Sequence, residues 1–135
     1  MNNSRKVVIA LIKNDEGKYL LTKLANYYPS YQEHKDEWCP IGGHIKKGET
    51  PKETLIREGE EELKVKLKPI RQIAEWEHDI PGETAVWWEA KIASGQIDPK
   101  RDEIEEFGYF SKDEAKNLKL WPATRKFFEK FIWKK

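Results

Sequence analysis

The chain has 135 residues, enough for one domain with a real core, and 25 Lys and Arg nearly cancel 24 Asp and Glu to leave a formal net charge of +1. That balance excludes the electrostatic footprint of a protein that grips duplex nucleic acid or an anionic membrane. A single cysteine, Cys39, excludes a disulfide within the chain and fits a reducing compartment, with the thiol read as packed beside Trp38.

The apolar run Val7–Ile12 is read as a buried strand. It is too short for a signal-peptide core or a membrane span, so a cytoplasmic protein is expected. Asn14-Asp15-Glu16-Gly17 is a turn, and Tyr19-Leu20-Leu21-Thr22 resumes in extended form, which together predict a hairpin. Asn26–Glu37 is polar, with Pro29, and reads as a loop whose Tyr27, Tyr28 and Tyr31 either stack on a ligand or pack on the surface.

Thr50 and Glu53 form a capping-box pattern, with Pro51 at the first helical position, so a helix is predicted from there to about Lys64. Val65–Ile80 and Thr84–Ala93 read as the two arms of a long hairpin about Pro81-Gly82. After a loop over Ser94–Pro99 and an acidic segment, Phe107–Phe110 is a short strand, and Ser111 and Glu114 cap a short helix ending near Leu118. Pro122 opens a last amphipathic helix that packs through Ala123, Phe127, Phe128 and Phe131. The layout predicts an α/β fold, a mixed sheet with helices on its faces, as one domain over residues 1–135.

On a helical wheel, Glu58, Glu61 and Glu62 share one edge beside the buried stripe of Leu55, Gly59 and Leu63, while Glu53, Glu60 and Lys64 face solvent. Like charges so placed destabilise a helix by a few tenths of a kcal/mol per pair, and partial desolvation adds to this. A hard divalent cation such as Mg²⁺, which takes oxygen ligands and is shared with substrate phosphates, would answer the problem. Arg57 lies off that edge but can reach Glu49 or Glu61, and Gly42-Gly43 lets backbone approach a ligand closely.

Gly43, five residues, Glu49, seven residues, Arg57-Glu58, two residues, Glu61-Glu62 matches the signature of the Nudix hydrolases, with Pro40-Ile41-Gly42-Gly43 as the lead-in. The chain resembles that family over nearly its full length. The resemblance implies a Nudix-type α/β/α sandwich and Mg²⁺-dependent hydrolysis of a diphosphate bond in a nucleoside diphosphate derivative, with Mn²⁺ as a substitute cation. By position, Glu58, Glu61 and Glu62 would bind the cation, with the Gly43 carbonyl a further ligand. Arg57 and Glu49 would hold loop and helix in register. One glutamate deprotonates the attacking water, Glu61 taken first and Glu58 next, and Glu103, Glu105 and Glu106 are equal candidates to join from a later loop.

Gly42, Gly43 and Trp88 are the expected substrate contacts, since strand alternation lets at most one of Trp87 and Trp88 face a ligand. The partner is a small-molecule nucleotide, a nucleoside triphosphate or dinucleoside polyphosphate first, with ADP-ribose or a nucleotide sugar as the alternative. A non-catalytic nucleotide-binding module is the alternative of another class, and monomer and homodimer both stay open. Two positions depart from the family pattern. Gly59 stands where an apolar residue is usual, which implies close helix-to-sheet contact, and Lys64 replaces a glycine that usually ends the helix in a left-handed turn.

Overall fold

The computed structural model describes residues 5–25, 35–78 and 82–134. Tyr27, Tyr28, Pro29, Tyr31 and Pro81 lie outside the described residues. Strand β1 (Arg5–Ile12) is buried from Val7 to Ile12 because both of its faces are covered, as the unbroken apolar run requires. It runs parallel to β6 (Glu83–Ser94) and antiparallel to β4 (Ile41–His44), and β6 pairs in turn with β5 (Lys66–Glu77) as the predicted long hairpin. The result is a four-stranded mixed sheet in the order β4-β1-β6-β5.

The predicted hairpin of the first two strands does not form. Strand β2 (Tyr19–Leu24) belongs to a second, three-stranded sheet, between β3 (Trp38–Cys39) and β7 (Ile104–Phe110); its antiparallel pairing with the first arm is limited to one bridge, between Lys13 just past β1 and Tyr19. Both hydrogen-bonding edges of β1 are already taken by β4 and β6, so none remains for β2. The turn itself is real: Asn14 Oδ1 accepts from the backbone amides of Glu16 (3.0 Å) and Lys18 (2.9 Å) and redirects the chain into the second sheet.

Helix α1 (Pro51–Leu63) starts with the complete capping box of Thr50 and Glu53. Its buried stripe packs on the face of the mixed sheet that carries Val8, Ala10 and Ile12. A Cβ on Gly59 would come within 2.6 Å of Leu67 Cγ, so the missing side chain is what lets α1 sit this close to β5. At the other end the left-handed turn persists without glycine: Lys64 has φ 61° and ψ 32°. The helix's final carbonyls are claimed from two directions, by Lys64 and Val65 amides closing the turn and by Asp98 and Lys100 amides bonding Leu63 and Glu62 carbonyls. These bonds hold lysine in a conformation that costs it roughly 1–2 kcal/mol.

The opposite face of the sheet carries Val7, Ile9, Leu11, Ala85 and Trp87. Short helix α2 (Lys112–Ala115), capped by Ser111 and Glu114 as predicted, precedes α3 (Pro122–Phe127), which covers this face through Phe127 stacked on Trp87 at 3.8 Å. The last helix widens after Phe127 into a turn closed by the Trp133 amide on the Phe128 carbonyl, 2.7 Å. That wide turn leaves Phe131 partly exposed, edge-on to Trp76, while Phe127 and Phe128 are wholly buried. The mixed sheet thus lies between α1 and α3, the expected α/β/α arrangement, with a second small sheet beside it. Among the described residues no helix is long and apolar enough to cross a membrane.

The contact at Gly59 has a direct consequence. Alanine would gain about 1 kcal/mol in helix propensity, but overpacking against buried Leu67 costs about 1–3 kcal/mol. Gly59→Ala is therefore expected to be neutral to mildly destabilising, and Gly59→Leu clearly destabilising, in thermal denaturation. An unchanged Tm for Gly59→Leu would contradict the close approach.

Candidate active site

The site is built around one guanidinium. Arg57, on α1, uses all five N–H donors. Nε and Nη2 form a two-pronged bond to Glu49 at 2.7 and 3.0 Å, and Nη2 also donates to the His44 carbonyl at 3.0 Å. Nη1 divides its two hydrogens between Glu58 (2.9 Å) and Glu61 (3.2 Å). Glu49 is itself fixed by the Lys46 amide and the Thr54 hydroxyl. The Arg57 bond, helped by these, draws the Glu49 carboxyl down to about 2, and the same bonds push the guanidinium further up. The glycine turn, the end of β4 and the helix are thereby locked together.

Gly43 is glycine for a local reason: a Cβ there would overlap the Glu58 carboxylate. Glu58 is buried, and burial raises its pKa against the opposing pull of Arg57. Glu61 is the most open of the three, its side chain 47% exposed, and Glu60 points to solvent as the wheel placed it. Glu62 shares a hydrogen bond with Glu103, and burial together with that neighbour pushes Glu62 up to about 8. Burial works upward on Glu103 as well, but its bonds from Glu62 and from Lys100 (2.7 Å) outweigh it and hold it low. The two carboxyls thus hold one proton between them.

Of the three later acids, Glu103 alone reaches the cleft. The Asp98 and Lys100 amides that cap α1 pull this loop against Glu62, and the Glu103 amide then bonds the Lys100 carbonyl. Glu105 and Glu106 are exposed on β7, with Glu106 paired to Lys23 at 3.0 Å.

The cleft measures about 390 Å³. One wall holds Glu58, Glu61, Glu62 and Glu103; the floor is the sheet face carrying Val7, Ile9 and Trp87, and Trp121, Ala123 and Thr124 close it from the α3 side. Gly42 and Gly43 line it as expected, but Trp88 does not. Trp88 packs under α1 with Leu55 and Leu63, on the wrong face, and its neighbour Trp87 lines the cleft instead. Sequence reasoning also passed over His44, His78 and Glu83 in the lining. His44 could have been found from its place after Gly43 in the motif, whereas Glu83 and His78 depend on strand register and carry no local signal.

The donor set fits a hard divalent cation. Four carboxylates share one part-buried wall, and Glu58 and Glu62 are raised by burial first and by neighbouring acids, which a cation would relieve. Among the described residues no three of these groups converge on one point, because Glu58 and Glu61 turn to Arg57 and Glu62 turns to Glu103.

A glycine turn and a carboxylate-edged helix sharing one cleft, on a mixed sheet between helices, define the class of this α/β domain. The NUDIX domain family model matches residues 3–131, and the chain belongs to the NUDIX family. It is 26% identical over 122 residues to the NAD-capped RNA hydrolase NudC of Pseudomonas aeruginosa, a match covering 90% of this chain and 40% of the relative. The chain therefore spans well under half of that relative's length. Its fold is similar to the MutT NUDIX hydrolase of Burkholderia pseudomallei, with TM-score 0.75, 27% identity, and coverage of 94% and 97% of the two chains. The ADP-ribose pyrophosphatase of Streptococcus suis shares the fold at TM-score 0.69 and 20% identity, over 90% of this chain and 82% of that one.

The raised Glu62 has a pH signature. A carboxyl whose folded pKa lies above its unfolded value stabilises the fold only while protonated, so stability falls as pH rises from about 4.5 to about 8. Metal-free protein is expected to show a declining Tm across that window, and Glu103→Gln, which removes the facing charge, should flatten the decline. A Tm that rises over the same window in both proteins would contradict the shared proton.

Proposed function

We propose that the chain is a NUDIX pyrophosphohydrolase that cleaves a diphosphate bond in a nucleoside diphosphate derivative, using Mg²⁺ or Mn²⁺. The observation that carries this reading is the use of Arg57 to tie Glu58 and Glu61, through Nη1, to the glycine turn and Glu49, through its other three donors, on the wall shared with Glu62 and Glu103. Glu58, Glu61 and Glu62, with the Gly43 carbonyl and Glu103 beside them, would hold the cation. A cation there supplies neutralisation of phosphate oxygens and a water made acidic enough to attack.

The chain's own residues do the rest. Glu61, the most exposed of the wall's helix carboxylates, is suited to take the proton from the attacking water, and Glu58 stands next in line. Arg57 and Glu49 position these groups rather than touch substrate. Lys46, which lines the cleft, is a cation available to phosphate oxygens. The apolar floor, with Trp87 in place of the expected Trp88, suits the flat face of a base.

A cleft of about 390 Å³ is at the small end of the roughly 300–1,000 Å³ typical of ligand sites. This supports one nucleoside and its phosphates, hence a nucleoside triphosphate first. The name of the P. aeruginosa relative supports a second reading, a nucleoside diphosphate joined to another nucleoside or sugar. A panel of triphosphates, dinucleoside polyphosphates, ADP-ribose and NAD with Mg²⁺ separates the two. Glu62→Gln and Glu61→Gln are each expected to lower kcat by about 10²-fold or more on the best substrate. No turnover of any member would sink the enzyme reading, and rates equal to wild type in Glu62→Gln would sink the metal assignment.

A further inference from the structure

At the end of the cleft floor, three side chains, from β4, from β6 and from the residue that follows β5, form a cluster apart from the carboxylate wall. His44 Nε2 lies 2.6 Å from Glu83 Oε2, and His78 Nδ1 lies 3.2 Å from Glu83 Oε1. All three line the cleft, yet the Glu83 side chain is only 8% exposed whereas that of His44 is 43% exposed. Register places the cluster: His44, Val7 and Ala85 are partners across β4, β1 and β6, and Gly42, Ile9 and Trp87 form the next row. The cluster therefore borders the apolar floor one row from Trp87, on the face opposite α1.

A carboxylate accepts hydrogen bonds and does not donate them, so each imidazole turns its N–H to Glu83. In the neutral His44 ring this commits the hydrogen to Nε2 and leaves Nδ1 an acceptor, with no other side-chain hydrogen bond among the described residues. The backbone of His44 is held by Arg57 on its carbonyl at 3.0 Å, and the ring by Glu83 at 2.6 Å. Glu83 keeps further lone pairs beside it. The cluster is thus rich in acceptors, and a phosphate set against Glu83 would meet like charge.

We propose that His44, oriented by Glu83, is a specificity-determining contact that selects substrates presenting an N–H or O–H donor beside a flat apolar ring. This deepens the nucleotide reading above and rests on it. In a nucleotide such a donor has two sources, the exocyclic amine of the base and a ribose hydroxyl. His44 would touch the substrate, and Glu83 would act through His44 as a positioning residue.

The test compares KM for ATP with KM for inosine triphosphate, 2′-deoxy-ATP and 3′-deoxy-ATP, in wild type, His44→Ala and Glu83→Gln. Wild type is expected to bind the analogue lacking the relevant donor at least about 10-fold more weakly, because a site built to hydrogen-bond a group rejects its absence. In both variants that ratio should fall toward 1. A merely structural role would move all four substrates together. Loss of discrimination against inosine triphosphate alone identifies the amine, and against a deoxy analogue alone the hydroxyl. No discrimination in wild type, or discrimination that survives in His44→Ala, would overturn the proposal. If no nucleotide is turned over, the hydrolase reading has failed on its own, and imidazole proton NMR of this three-histidine chain decides the contact. A His44 signal moved by ATP but not by the discriminated analogue supports it, and one unmoved by all four nucleotides overturns it.

Discussion

Five hydrogen bonds from Arg57 hold the candidate site together. Its fork joins the turn through Glu49, the end of β4 through the His44 carbonyl, and the helix edge through Glu58 and Glu61. A lysine could supply the charge but not the fixed planar fork that serves four partners at once. The arrangement pairs Glu49 fully and leaves the helix carboxylates with half a guanidinium between them. Glu62, out of reach, is left to Glu103. The protein thus gathers more negative charge on this wall than it neutralises, which is the physical basis of the proposed cation site.

The fold serves this arrangement through backbone bonds at both ends of α1. The capping box fixes where the helix begins, and the Arg57–Glu49 pair fixes its first turns against the glycine turn. At its end, the carbonyls of Glu62 and Leu63 recruit the amides of Lys100 and Asp98. That one device ends the helix, helps Lys64 hold its left-handed conformation, and carries Glu103 to Glu62. Close approach of helix to sheet, through Gly59 on Leu67 and Gly43 on Glu58, sets the depth of the wall relative to the floor.

Local features were legible in the sequence, and non-local ones were not. Thr50, Pro51 and Glu53 announced the helix start, the wheel separated Glu60 from its neighbours, and Val7–Ile12 read correctly as a buried strand. The turn at Asn14 was also visible, but not that β1 would have no free edge for β2, since that depends on β4 and β6. Alternation showed that Trp87 and Trp88 part company. Only the packing of α1 on one face and α3 on the other decides that Trp87 lines the cleft. Glu103, Glu105 and Glu106 are equivalent by composition, and only the amide bonds to α1 distinguish them. Lys64 put the left-handed turn in doubt because the amides that bond the last helix carbonyls lie far along the chain, at Asp98 and Lys100, and were invisible locally.

The central claim is that the wall holds a shared proton and surplus charge that a divalent cation displaces and neutralises. Calorimetric titration of Mg²⁺ or Mn²⁺ near pH 7, in buffers of different ionisation enthalpy, measures the protons released on binding. The account predicts release approaching about one proton per protein, falling toward none above the raised Glu62 value of about 8 and reduced in Glu103→Gln. Binding without proton release near pH 7, or no saturable binding, would contradict it.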